Sequence, residues 1–416
     1  EALAGFGAPV AIIAVMLVAI GFKPLKAALT VLVGNTFAVP YGAVATPVIT
    51  GGNLTDIPYL EIGVMISHQT AVLVWIIPLL LLVIMDGAKG VRQVWPLALT
   101  LGISYALLTV LSATFISTEL TDMIAGLGSL AIGVLMLRVW QPKGTTEAAV
   151  RLTGREPAPA GSISISGSRV AWALFPYLLV IVVFCLAQLV GPIKTALAST
   201  DLKINWPGLW DGTQPMVLTA TGEASTSLAY NFGWLSSPGT LLLITAIVIG
   251  LIFGMKFSEI FQVFTSQVYK LRWTFVTIGS VLALAYVMNL SGQTLTIGNW
   301  IKQAGTVFAF LAPVLGYIGT AVTGSGTSTT ALFSTLQQAA AEGIGVAPKL
   351  LVAGNTVGGA VGKMIAPQTL AIAASAVAGR ESDMLRKSLP WSIGLLIALC
   401  LLVGAQSTSV LGWMVP

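Results

Sequence analysis

Apolar residues run along this chain in blocks of about twenty, the length that carries an α-helix across the hydrocarbon core of a bilayer, and polar residues gather between the blocks. The pattern predicts a short half-helix at Ala8 to Ile20, then a broken span from Leu25 to Ile49. Full spans are predicted near Gln69 to Met85, Gln93 to Ile116, Thr121 to Trp140 and Val170 to Pro192, and again near Gly239 to Met255, Trp273 to Leu290 and Trp391 to Trp413. Between Leu290 and Leu350 lie an amphipathic piece, a short span ending near Val322 and a second half-helix from Thr327; a second broken stretch covers Leu350 to Ala378.

Within that last stretch, Val352 to Gln368 packs four glycines, Asn355, Thr356, Lys363 and Pro367 into apolar surroundings. Backbone regularity is expected to fail there, and the polar groups need partners. The skeleton Gly354-Asn355-Thr356, Gly362, Pro367 occurs once more, 320 positions upstream, as Gly34-Asn35-Thr36, Gly42 and Pro47. Ahead of each copy stands a Gly-x-Gly that opens a short apolar helix: Gly5-Phe6-Gly7 and Gly324-Ser325-Gly326. The chain therefore contains a repeat.

Composition fixes the solvent. With 416 residues, 56% of them apolar and 8% charged, and a mean hydropathy of +0.91, charges are too few to cover a soluble globule, so the chain reads as an all-α polytopic membrane protein. Its formal charge of +5 comes from basic residues in the loops between spans, with no patch for nucleic acid. Cys185 and Cys400 both fall in apolar runs without paired spacing or a neighbouring histidine, and they read as buried thiols that hold no metal.

Orientation follows from lysine and arginine near span ends, which stay cytoplasmic. Lys89 and Arg92, then Lys143, Arg151, Arg155 and Arg169, then Lys256, Lys270 and Arg272, and finally Arg380, Arg386 and Lys387 mark alternate loops, whereas Ser117 to Asp122 carries no basic residue. Residues 1–140 are expected to form a first transmembrane repeat, truncated at its N-terminus, since the repeat starts at once with Glu1. Residues 141–169 form a polar, mobile cytoplasmic linker, and 170–416 form the second repeat, with an extracytoplasmic excursion at 193–238 that carries Trp206, Trp210 and Trp234. The same parity places the two half-helices antiparallel. Inverted repeats whose discontinuous helices meet at mid-membrane are the arrangement of a secondary transporter.

A helix that starts inside the membrane has unsatisfied N–H groups and a positive dipole end, both suited to an anion. Gly5 and Gly7 in one copy, and Gly324, Ser325, Thr327 and Ser328 in the other, thus form a candidate site for a small carboxylate that carries a hydroxyl. Small residues also let helices pack closely, which accounts for such glycines without a ligand. Asn35, Thr36, Asn355, Thr356 and Gln368 either bind the carboxylate or satisfy broken backbone around them. Lys363 either faces a cavity or snorkels to an interface. Glu1 is the candidate proton carrier, since burial raises a carboxyl pKa. His68 reads as interfacial or as a group titrating near neutral pH. Asp86, Asp122 and the Arg380-Glu381-Ser382-Asp383 run read as loop charges, and Glu342 closes the second half-helix. Hydrolase and metalloprotease motifs are absent, as is an acidic pair within a span, which argues against an enzyme.

At these motifs the sequence resembles the bacterial L-lactate permease family. The matching stretches are Glu1 to Ile12, the Asn35 region, Asp86-Gly87, Trp95-Pro96, Leu290-Ser291-Gly292, Leu315 to Phe333, Leu336-Gln337, and Asn355 to Gln368 with Glu381-Ser382-Asp383. The resemblance implies import of L-lactate, glycolate or a related 2-hydroxy-monocarboxylate by proton symport at the cytoplasmic (inner) membrane. It also implies no cofactor, leaves room for a homodimer, and implies that spans precede Glu1. More weakly, the doubled Asn-Thr motifs resemble sodium-coupled carboxylate transporters; a non-transporting membrane protein or an intramembrane enzyme is the remaining alternative. Four positions depart from the family pattern: Gly326 stands where an acid is usual, Thr329-Thr330 replace a Ser-Asn pair, and His68 stands at an arginine-like position.

Overall fold

In lipid a backbone satisfies its hydrogen bonds only within helices or closed barrels, so apolar blocks with few charges fold as helices. The computed structural model describes residues 1–3, 8–154, 166–217, 228–270, 272–374 and 381–416. Among the described residues, four helical stretches are long and apolar enough to cross a membrane: Tyr59–Phe115, Thr121–Val139, Gly167–Ala187 and Glu381–Gln406. A bent pair, Pro24–Gly34 with Thr36–Thr55, makes a fifth. The protein is an all-α, multi-pass membrane protein.

The chain divides into two compact units, Glu1–Ser162 with Leu295–Pro416, and Ile163–Thr294. The first unit opens with α1 (Ala8–Ile20) and α2 (Pro24–Gly34), the latter started by a proline in its first turn. A 3₁₀ segment, Thr36–Tyr41, leads into α3 (Gly42–Thr55), and the two together are bent by 49° from α2. Next come α4 (Tyr59–Val74) and α5 (Ile77–Phe115), where the sequence predicts two spans separated by a loop. The predicted loop shrinks to a break at Gly87, whose φ of 67° and ψ of −151° suit glycine alone. After α6 (Thr121–Val139), the expected irregular linker contains a helix, α7 (Thr145–Thr153), whose Arg151 pairs with Asp86 and donates to Gln93.

The second unit holds α8 (Gly167–Leu189), α9 (Gly191–Ala198), α10 (Pro238–Ile252), α11 (Phe257–Lys270) and α12 (Arg272–Leu290). Two short antiparallel ladders, Leu202–Asn205 with Ala229–Phe232 and Trp210–Asp211 with Gln214–Pro215, occupy the expected excursion. The basic segment after Met255 is a helix, not the loop its charges predict, because its apolar residues recur on one face: Phe257, Phe261, Phe264 and Val268 are exposed in a row.

The first unit resumes at Leu295, within α13 (Gln293–Ile301), and continues with α14 (Val307–Thr323), α15 (Gly326–Ile344), α16 (Pro348–Gly362), α17 (Pro367–Ala374) and α18 (Glu381–Gln406). Its core joins Phe37, Tyr41, Ile62, Met65 and Ile66 to Leu350, Leu351, Val357, Val361 and Val403. One correction concerns α16, which runs unbroken through Asn355 and Thr356. Its glycines let the helix approach α14: a Cβ on Gly358 would lie 2.1 Å from the Pro313 carbonyl oxygen, and one on Gly362 would lie 2.2 Å from that of Tyr317. Close helix packing therefore accounts for Gly358 and Gly362. The backbone fails about two turns later, in a 3₁₀ turn at Lys363–Ile365 before Pro367.

Candidate functional site

The two irregular stretches fall at matching positions of the sequence repeat. Gly42 to Pro47 corresponds to Gly362 to Pro367, so Lys363, Met364 and Ile365 stand where Ala43, Val44 and Ala45 stand in the first copy. Those three residues have φ of 47°, 58° and 57°, a left-handed run that costs roughly 1–2 kcal/mol per residue for side chains with a Cβ. Two hydrogen bonds hold the run open: the N–H groups of Ala43 and Val44 donate to the carbonyls of Glu1 and Ala2, at 3.0 and 2.8 Å. The segment before the first half-helix therefore supplies the acceptors that bind the first break.

The side chain of the same Glu1 reaches the second break. Its Oε1 accepts from Lys363 Nζ at 2.8 Å, and its Oε2 accepts from Asn35 Nδ2 at 3.0 Å. The Glu1 side chain is 3% exposed and that of Lys363 is 8% exposed, so both charges are withdrawn from solvent. Lys363 does not snorkel; it is an interior cation with an interior partner. Removing either member of such a pair leaves an uncompensated buried charge, at a cost of roughly 3–5 kcal/mol.

Against this pair lies the start of α15. Gly324 closes α14 in the left-handed conformation, φ 72°, and its N–H donates to the Thr320 carbonyl. Ser325 caps α15 by accepting from the Ser328 N–H at 3.2 Å. Gly324, Ser325, Gly326 and Thr327 line a cleft with Glu1, Val39, Gly42, Ala43, Pro47 and Lys363. The cavity measures about 30 Å³, room for a water or two. Gln368 lies against Gly324, where an added Cβ would meet its Oε1 at 2.5 Å. A second small cavity, lined by Asn35, Thr36, Lys363 and Thr369, flanks the pair.

Other expected site residues spend their polar groups away from the cleft. Thr36 and Thr356 each donate to the carbonyl four residues back, Leu32 and Val352. Asn355 does not face the cleft residues. Its Oδ1 accepts from Gln337 Nε2 at 3.5 Å, while its Nδ2, with Ser328 Oγ, Ser334 Oγ and Gln337 Oε1, is buried without a hydrogen-bond partner among the described residues. Thr330 meets Thr356 at 3.4 Å in the same buried polar seam between α15 and α16. His68 Nδ1 is tied to the Met414 carbonyl at 2.7 Å. Gly5 and Gly7 lie outside the described residues.

Two acids are where the sequence reading does not put them. Asp122 is buried at the start of α6, with Oδ1 accepting from Tyr105 at 3.1 Å and Oδ2 lacking a hydrogen-bond partner among the described residues. Nearby Glu119 is also buried and accepts from Tyr59 and Ser117. A signal for them exists in the sequence. Ser117 to Asp122 holds two acids and no basic residue, which does not suit a solvated loop of paired charges.

The full described length of the chain has counterparts among known proteins. Residues 1–409 match the L-lactate permease family. The L-lactate permease of Escherichia coli (strain K12) is 37% identical over 430 residues, covering 100% of this chain and 77% of the relative. That of Bacillus subtilis (strain 168) is 35% identical over 446 residues, covering 100% and 77%. Glycolate permease GlcA of Escherichia coli (strain K12) is 36% identical over 411 residues, covering 94% of this chain and 73% of its own length. A match that runs from Glu1 through Lys363 to the last helix takes in every residue of the cleft, and the chain belongs to the L-lactate permease family.

Proposed function

We propose that the protein is a secondary active transporter that imports L-lactate, or a related 2-hydroxy-monocarboxylate such as glycolate, by proton symport across the cytoplasmic membrane. The observation that carries this reading is the buried Glu1–Lys363 pair, which joins both broken stretches beside the hydroxyl-rich start of α15. Relatives named L-lactate permease and glycolate permease support the substrate class. Charge supports it too: Lys363 is a single cation among neutral donors, and an unpaired anionic group desolvated at this depth costs several kcal/mol. Such a site suits one carboxylate better than two or three. In this reading residues 1–140 and 170–416 are inverted repeats joined by the 141–169 segment, the discontinuous helices hold the substrate, and Ser325 and Thr327 address its hydroxyl while the Gly324 turn and Gln368 shape the entrance.

Uptake of labelled lactate into proteoliposomes of the purified protein tests it. An inwardly directed proton gradient should drive accumulation, with unlabelled lactate and glycolate competing and succinate and citrate ineffective. Uptake that needs sodium and ignores pH, or that succinate inhibits best, replaces this reading with a sodium-coupled dicarboxylate carrier.

A further inference from the structure

We propose that Lys363 serves two carboxylates in turn, that of Glu1 and that of the substrate, and that this exchange is the step linking proton uptake to substrate binding. The proposal rests on the proton-coupled monocarboxylate reading above.

With the site closed, the Glu1 carboxylate already has the partners an incoming monocarboxylate needs: an ammonium at 2.8 Å and an amide N–H at 3.0 Å. It is tightly held. A Cβ added to Gly42 would lie 2.9 Å from Glu1 Oε1, and the adjoining cavity of about 30 Å³ admits water but not a three-carbon acid. A substrate that enters between Ser325, Thr327 and Lys363 therefore has to displace the Glu1 side chain from the lysine. Once displaced, Glu1 retains Asn35 as a neutral donor but has lost its counter-charge. Two carboxylates would then share one cation in a buried site, and a proton from the entry side, bonding to a Glu1 oxygen, removes the excess. On the far side the steps reverse: the substrate leaves Lys363, the Glu1 O–H bond breaks, the proton passes to water, and the ion pair re-forms.

Charge counting makes the coupling strict. The empty site is neutral, with Glu1 negative and Lys363 positive; the site holding substrate and proton is neutral as well. Substrate alone gives one net negative charge, and a proton alone gives one net positive charge. The half-loaded forms carry a bare charge at membrane depth and are penalised, so the carrier changes sides empty or doubly loaded. Of the elements around Glu1, the 3₁₀ turn after α16 supplies Lys363, the C-cap of α2 supplies neutral Asn35, and the α15 start supplies hydroxyls. Asp122 and Tyr105, bonded to each other, are the further titratable groups that feel the Glu1 charge.

Calorimetry of lactate binding to the purified protein, in two buffers of different ionisation enthalpy, counts the protons taken up. The wild type should bind about one proton per lactate, with a Kd that weakens as the pH is raised. Glu1→Gln should take up none, bind with a Kd flat in pH and about tenfold tighter at pH 8, and exchange labelled for unlabelled lactate across proteoliposomes while failing to accumulate it against a gradient. Glu1→Asp, which keeps the carboxyl, should restore proton uptake, and Asp122→Asn should leave it in place. Proton uptake that persists in Glu1→Gln, that disappears in Asp122→Asn, or a Glu1→Gln protein that is folded yet neither binds nor exchanges lactate, overturns the exchange while leaving wild-type transport standing. A wild type that neither binds nor transports lactate overturns both.

Discussion

At the scale of single residues, the buried charge of Lys363 is matched by that of Glu1. Lys363→Met takes the cation from Glu1 and, on the proposed function, from the substrate. Its apparent KM for lactate should rise by about tenfold or uptake should be lost, since a hydrogen bond to a charged group contributes roughly 1.5–3 kcal/mol. Quantitation of the variant in the membrane should show normal insertion; unchanged uptake kinetics would remove Lys363 from the transport path. Tyr105 is a second test. Its hydroxyl donates to Asp122 Oδ1, so Tyr105→Phe leaves a buried carboxyl without that donor, at a cost of roughly 1–3 kcal/mol. The unfolding temperature in detergent should fall, and an unmoved midpoint would mean that Asp122 finds other partners. The sequence singles out Glu1, Asn35 and Lys363 one by one, because each is a polar residue in an apolar setting. It does not join them: Glu1 and Lys363 are 362 positions apart, and a through-space pair leaves no periodicity to read. Asp122 is misread for the opposite reason, since an acid at a span end looks the same in sequence whether the loop is solvated or folded inward.

At the scale of elements, the glycines of α16 separate two uses that composition confounds. Gly358 and Gly362 remain helical, and their missing side chains let α14 carbonyls come within 2.2 Å of where a Cβ would sit. Gly358→Ala should therefore push α14 and α16 apart and destabilise the protein by roughly 1–3 kcal/mol, the usual cost of overpacking. Gly126→Ala in α6, where nothing lies within 4 Å of the added Cβ, should be neutral or stabilising by up to about 1 kcal/mol. Thermal unfolding of the two variants side by side checks the pair, and equal shifts would refute the packing argument. Helix positions were legible in the sequence because lipid demands long apolar blocks. The location of the break was less so: Gly-Asn-Thr marks it in the first copy, where α2 ends at Gly34, but in the second copy helix packing holds the backbone regular through Asn355 and moves the failure to Lys363–Ile365. Helix α7 was hidden by the polar composition around it, although Glu147 and Arg151 at i and i+4, between Gly144 and Gly154, mark it as a short helix.

At the scale of the whole molecule, the membrane potential does work only on net charge that crosses the bilayer. One elementary charge crossing 100 mV exchanges roughly 2.3 kcal/mol with the field. A carrier moving lactate with one proton, through a site neutral both empty and doubly loaded, moves no net charge in either half of its cycle. Voltage should then act weakly and the proton gradient strongly. In proteoliposomes, a potassium diffusion potential of about −100 mV, negative inside and imposed at equal pH, should change the initial rate of lactate uptake by less than about twofold. A gradient of one pH unit, acid outside, represents about 1.4 kcal/mol and should support about tenfold accumulation at zero potential. Accumulation driven by voltage alone would show that net positive charge travels with the substrate, which one proton per lactate cannot supply. The Glu1–Lys363 pair would then be a structural clasp between the two broken helices, with cation coupling located in another part of the chain.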